Sequence, residues 1–449
     1  MSNPYGLERP EILDLAPPQP RSVEETGLPL GMLNDLALRF MYYGGVVSGV
    51  GLADNMGLPF SGVVEQVIAF LAQEKLVDMK GGKGFGRASF DYTLTERGRQ
   101  VAREAVQRTA YTGRAPVPLG QYTSLVKLQM QETPVVDRNQ IRNAFANLVL
   151  PPEFFDRLGP AVNSGRSLFL YGPPGNGKTT IAEIVADILA GEVFVPHAIE
   201  VDGHVIKVFD PLAHQAIDLE REPARPPPLR GSRMGAPLVK RSGPEFDRRW
   251  LLSRRPSVVV GGELTLETLD LIYNDNSRFY EAPFQVKANG GMLLIDDFGR
   301  QRVHPTDLLN RWIVPLEKRV DFLTLHTGKK FEIPFDQLIV FATNLDPREL
   351  VDEAFLRRIK YKIEVNNPSE REYRKIFRDV CGARGLRYDD AMVGYIIENY
   401  YQPYEMELRS CHPRDLVGLI IDVARFQGRR PALEQELIDQ ACRSFFVSI

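Results

Sequence analysis

Gly172, Pro173, Pro174, Gly175, Asn176, Gly177, Lys178, Thr179 and Thr180 follow the spacing G-x4-G-K-[ST]. Glycines at such a spacing let backbone N–H groups converge on phosphate oxygens. A helix starting behind them adds partial positive charge. The pattern assigns Lys178 to the β- and γ-phosphates of a nucleoside triphosphate and the Thr179 hydroxyl to Mg²⁺. A pair of carboxylates, Asp296 and Asp297, closes the apolar run Met292 to Ile295. Asp296 is suited to hold Mg²⁺ through water and Asp297 to polarise an attacking water. A third apolar run, Leu338 to Ala342, ends in the polar pair Thr343 and Asn344.

These groups need elements to hold them. Ser167 to Tyr171 is an apolar run of strand length, and Ile181 to Ala190 is rich in helix formers. Strand, glycine loop and helix is the context the phosphate-loop spacing requires. Met292 to Ile295 has no polar alternation, as expected for a strand buried on both faces of a parallel sheet. Its carboxylates then sit at the carboxyl end, where ligands bind in open α/β sheets.

Phosphate loop, hydrophobic Asp-Asp strand and hydrophobic Ala-Thr-Asn strand, in this order, resemble the AAA+ ATPases over about residue 137 to the C-terminus. The resemblance implies an α/β P-loop NTPase fold with a parallel sheet and a C-terminal helical lid, ATP and Mg²⁺ as cofactors, and ATP hydrolysis. It implies that Asn344 is the first sensor. The segment Asp352-Glu-Ala-Phe-Leu-Arg-Arg-Ile359 resembles the family stretch that carries the arginine finger, with Arg358 the better match and Arg357 the alternative. His412-Pro-Arg-Asp-Leu416 resembles the second sensor, with Arg414 reaching the γ-phosphate. By the same resemblance the chain assembles as a homo-oligomer, a hexameric ring. Two features depart from the family. Asp297 stands where most members have Glu, although Asp-Asp occurs in the replication-initiator and helicase-loader branches. The stretch between Lys178 and Asp296 is also longer than usual, which implies an insertion. Tyr280 to Gly291 resembles the lead-in of the enhancer-binding activators and MoxR-type ATPases. Val320 to Pro334 alternates around Thr327-Gly328 as a β-hairpin would, a feature of that same group.

The remaining chain divides by composition. Residues 1–26 hold five prolines among acidic residues and predict a flexible tail. Residues 27–110 predict three short helices, a hairpin around a glycine-rich basic turn, and a charged helix from Glu96 to about Arg108. That order resembles an α+β winged-helix domain. Its third helix, Ser61 to Lys75, carries Glu65 and Glu74 and only Lys75 as a cation, which favours docking to protein over reading DNA. Residues 111–137 predict a linker, 138–367 the nucleotide-binding domain, and 368–449 the lid. Ser369-Glu-Arg-Glu372 marks a capping box, and Pro413 to Gln427 a second lid helix. A Pro- and Arg-rich insertion covers about 210–256, a composition unsuited to a helix or a central strand.

The whole chain has 449 residues and a formal net charge of −3, so bulk charge drives no polyanion binding. Three cysteines exclude a disulfide framework. The N-terminus shows no signal peptide and no apolar run is long enough to span a bilayer, so the expected location is cytoplasmic. The expected function is that of an ATPase remodelling or assembling a protein partner, the client unnamed. The alternatives are a DNA-associated regulator using its winged helix, and an ATP-bound switch with slow turnover.

Overall fold

The computed structural model describes residues 10–82, 86–131, 135–189, 191–217, 246–350 and 353–446. The strands Ser257–Val260, Met292–Ile295, Leu338–Thr343, Ser167–Tyr171 and Tyr361–Glu364 lie side by side in that order, each pair parallel. Their alternate side chains feed two cores, because successive residues of a strand point to opposite faces. Leu168, Leu170, Leu294 and Val340 pack on the helices Pro152–Ser164 and Lys178–Ile188. Phe169, Leu293, Ile295 and Phe341 pack on Leu308, Leu309 and Trp312 of the helix Pro305–Lys318. Burial on both faces is what the uninterrupted apolar runs predict.

The C-terminal region is helical. Its helices include Glu370–Ala383, Asp390–Ile396, His412–Phe426 and Gln435–Phe445, around a core of their own. The Ser369 and Glu372 capping box forms as the sequence predicts. His412 lies inside this core, where its Nδ1 meets the Tyr401 hydroxyl at 2.8 Å and Tyr401 meets Tyr373 at 2.9 Å. Burial pushes His412 down to about 4, so the imidazole is a neutral packing group.

The N-terminal region contains the expected helices and hairpin. The helices Leu30–Gly44, Gly49–Met56 and Glu65–Gln73 surround a sheet ordered Val46–Ser48, Phe90–Leu94, Val77–Gly82, followed by the helix Glu96–Arg108. The third helix starts later than Ser61, because Ser61 and Gly62 are non-helical. Gly62 has φ +80°, and a Cβ there would stand 2.1 Å from the Arg21 carbonyl.

Three further expectations change. The tail is not loose over residues 10–26: Ile12, Leu13 and Ala16 pack against a core, and Val23 and Thr26 are buried. The linker is not a linker: Val117–Pro118 is a strand and Leu119–Gln131 a helix with Tyr122 and Val126 buried. The insertion is partly regular. Trp250–Arg254 pairs antiparallel with Glu192–Pro196, although residues 218–245, with most of its prolines and arginines, lie outside the described residues.

These pieces share a core with a second, mixed sheet, ordered Ile272–Asn274, Phe279–Glu281, His204–Lys207, Ala198–Val201, Val117–Pro118, to which the linker alone among them contributes a strand. Its core takes in the hairpin Val320–Thr324 and Lys330–Pro334, which forms as predicted. One guanidinium ties the segments together. Buried Arg249 donates to both Asp247 carboxylate oxygens (2.7–3.1 Å), to the carbonyls of Thr26 and Pro116 at 2.8 and 3.2 Å, and to the Gln121 amide oxygen at 3.3 Å. Among the described residues no single helix is long and apolar enough to cross a membrane.

Candidate nucleotide site

The phosphate loop runs from the end of the strand Ser167–Tyr171 to the first turn of the helix Lys178–Ile188. Gly172, Gly175 and Gly177 have φ of +132°, +82° and +82°, a region that residues with a Cβ occupy at a cost. The first two are also crowded. A Cβ on Gly172 would lie 2.5 Å from the Val365 carbonyl, and one on Gly175 would lie 2.7 Å from the Cys411 sulfur. Pro173, Pro174 and Thr180 lie along the same loop and helix start, with Pro174 and Thr180 exposed. The Gly177 N-cap supplies no side chain, so the first N–H groups of the helix have no cap from that residue.

Lys178 is buried, and its ammonium donates to the carbonyls of Gly172 and Pro173, each at 2.8 Å. Burial lowers it to about 8, against the pull of Asp296 and Asp297, which favour its charged form. The Thr179 hydroxyl donates to Asp296 Oδ2 at 2.9 Å. This brings together the two side chains that the motif spacing assigned to the metal. An adjacent hydroxyl and carboxylate suit Mg²⁺, which takes one or two protein oxygens and completes its shell with water and phosphate. The residues present therefore fit the ion.

Asp297 follows at φ +49°, uncommon outside glycine but tolerated by aspartate. Its backbone N–H donates to Asp296 Oδ1 at 3.0 Å. Its carboxylate accepts from Asn344 Nδ2 at 3.1 Å. The Asp-Asp and Asn344 strand ends are also joined through the backbone, Phe298 N–H to Ala342 O at 2.7 Å and Thr343 hydroxyl to Phe298 O at 2.6 Å. Gln301 completes the turn: its amide donates to Asp296 O and accepts from Gly299 N–H, both at 2.8 Å. Gln301 belongs to no motif, and its spacing from Asp296 carries no signal in the sequence.

The arginines divide differently. Arg358 donates to Glu317 of the helix Pro305–Lys318 at 2.6 Å, and Arg357 to Glu353 at 2.9 Å. Arg414 is exposed on the first turn of the helix His412–Phe426, where its Nε stands 3.4 Å from Asp415. The C-terminal residues bonded to the phosphate loop lie just before that helix. Cys411 N–H donates to Gly175 O at 2.9 Å, and Ser410 N–H to Asn176 Oδ1 at 3.0 Å. The motif at His412 thus points to the right part of the C-terminal region but not to the residues in contact.

Residues 168–226 match the family described as ATPase family associated with various cellular activities (AAA). Residues 369–444 match a domain of unknown function, DUF8689. The match to the AAA ATPase family thus covers the phosphate-loop segment, and a separate match covers the C-terminal helices. Over 51 residues it is 53% identical to an AAA ATPase forming ring-shaped complexes from Rothia mucilaginosa, covering 11% of this chain and 8% of that one. Over 54 residues it is 43% identical to a vesicle-fusing ATPase of Dictyostelium discoideum, covering 12% and 7%. The chain therefore matches under a tenth of these relatives' length. Among solved structures, the RuvB Holliday junction branch migration motor of Thermotoga maritima superposes with a TM-score of 0.34 at 13% identity, covering 70% of this chain and 73% of that one. NtrX from Brucella abortus gives 0.35 at 13%, covering 79% and 62%.

Proposed function

We propose that the chain is a Mg²⁺-dependent ATPase that turns ATP hydrolysis into movement of its C-terminal helical lid and so remodels or assembles a protein partner. The observation that carries this reading is the meeting of Thr179 with Asp296 and of Asn344 with Asp297 at one end of the parallel sheet. In this mechanism the loop amides and the Lys178 ammonium hold the phosphates. Thr179 and Asp296 hold Mg²⁺, which neutralises phosphate charge when bound. Asp297, oriented by Asn344, aligns the attacking water and takes its proton. Subunits assemble in a ring, and Arg358 or Arg357 stabilises the transferred phosphoryl charge in a neighbour's site.

We place the N-terminal region as a winged-helix module that docks protein. In its support, two arginines beside the third helix face acids at its two ends, Arg87 with Glu65 at 3.7 Å and Arg97 with Glu74 at 3.9 Å. That arrangement offers little free charge to a phosphate backbone. The hairpin 320–334 supports placement near the MoxR-type and enhancer-binding-activator group. Steady-state hydrolysis with and without Mg²⁺ tests the reading. The wild-type chain should turn over ATP and the Lys178→Ala chain should not; equal phosphate release from both would overturn the site. Mixing Arg358→Ala with Lys178→Ala subunits should restore hydrolysis in trans, and an intact but inactive mixture would remove Arg358 from that role.

A further inference from the structure

Within the phosphate loop, the Asn176 side chain is turned toward the C-terminal helical region. The residue is only 4% exposed. Its Oδ1 accepts the Ser410 backbone N–H at 3.0 Å, and its Nδ2 donates to Asn367 Oδ1 at 2.7 Å. A backbone N–H can only donate, so the Ser410 contact fixes which end of the amide is oxygen. Asn367 passes the chain on, its Nδ2 donating to Glu407 Oε2 at 2.6 Å. Beside this relay, Cys411 N–H donates to Gly175 O at 2.9 Å. Val365, two residues before Asn367, lies against Gly172, close enough that a Cβ on that glycine would meet its carbonyl at 2.5 Å.

The placement is specific. Asn367 lies in the short connector between the last strand of the parallel sheet, Tyr361–Glu364, and the first lid helix, Glu370–Ala383. Glu407, Ser410 and Cys411 lie immediately before the lid helix His412–Phe426. One amide in the phosphate loop therefore bonds both the connector and the lid proper. Main-chain groups and Lys178 suffice to cradle phosphate, which leaves the Asn176 side chain free for this second task.

We propose that Asn176 is a positioning residue that latches the lid to the phosphate loop, so that a change in the loop on nucleotide binding is transmitted to residues 367 and 407–411. The proposal rests on the reading of residues 172–180 as an ATP site. It adds the route by which that site is coupled to the lid. Cutting the latch leaves the phosphate-binding groups in place and separates binding from turnover.

The test uses the full chain. ATP affinity, kcat and the amide exchange of residues 367–369 and 407–411 are measured with and without ATP, for wild type, Asn176→Ala, Asn367→Ala and the double variant. Wild type should show nucleotide-dependent protection of both segments. Asn176→Ala should bind ATP within about threefold of wild type, lose that protection change, and lose about tenfold in kcat, the scale of one to two lost neutral hydrogen bonds. Asn367→Ala should show the same split, and the double variant should be no worse than Asn176→Ala alone, as expected of members of one network. Melting temperatures identify any variant that is merely unfolded, and Asn367→Ala carries the test if Asn176→Ala is. Nucleotide-dependent protection retained in a folded Asn176→Ala or Asn367→Ala chain would overturn the latch. So would a loss of affinity as large as the loss of kcat. A wild-type chain that binds no ATP would instead overturn the nucleotide site beneath it.

Discussion

The parallel sheet and the mixed sheet sit in one chain yet are built on opposite plans. The parallel sheet takes strands of four to six residues, its three central ones near-continuous apolar runs, and concentrates its polar groups at one end. The mixed sheet takes strands of two to four residues from the linker, from both sides of the insertion and from the lead-in. The first is stabilised by apolar burial on two faces and frees its carboxyl end for chemistry. The second depends on convergence of distant segments, and a buried charge network stands where they meet. Arg249 and Asp247 are 1% and 3% exposed as side chains. A site on the parallel sheet should therefore tolerate loss of its reactive groups without unfolding. The mixed sheet should not tolerate loss of its central charge.

Four changes would break or sharpen that contrast. Asp297→Asn should lower turnover by about 10²–10⁴-fold, the range for a positioned general base, while the denaturation midpoint stays near wild type. Unchanged hydrolysis would remove Asp297 from catalysis and favour the slow-switch reading. Arg249→Ala should cost about 3–5 kcal/mol of stability in chemical denaturation, because Asp247 is left buried and unpaired. A loss under about 1 kcal/mol would show that the meeting point is not central. Lys178→Ala should weaken ATP binding about a hundredfold by losing charged hydrogen bonds of about 1.5–3 kcal/mol, checked by calorimetric titration.

The smallest effect is the pH response of Lys178. Burial lowers it to about 8, whereas bound phosphates favour the ammonium. ATP affinity should then fall as pH rises above about 8, by up to about tenfold per unit, with proton uptake on binding. The nucleotide-free chain should respond in the opposite sense. Its unfolded state holds that proton up to the ordinary lysine range, so stability contributed by this group rises between about 8 and that range. An affinity that is flat from pH 7 to 9.5 would contradict the burial of Lys178.

The convergence of Thr179 and Asp296 on one metal was legible in the sequence, and Asp297 and Asn344 were each marked by the end of an apolar strand, but the bond between Asn344 and Asp297 was not. The capping box at Ser369 and the hairpin around Gly328 were legible as local patterns. The mixed sheet was not. Val117–Pro118 is too short for any period to register, and proline next to valine reads as loop until a neighbouring strand supplies the ladder. Residues 10–26 read as tail because their apolar groups are few. They are held by partners hundreds of residues away, such as the Arg249 bond to Thr26 O.

The C-terminal helical region shows the limit most clearly. The motif at His412 located the helix near the phosphate loop, yet Arg414 turns outward while Ser410 and Cys411 make the contact. The chain order alone determined the phosphate loop, the Asp-Asp turn and the third strand end, because each is a local pattern fixed by backbone geometry and burial. Only the tertiary structure decided what Asn176, Asn367, Gln301 and Arg249 do. Their partners are set by where remote segments come together, and no spacing along the chain encodes that.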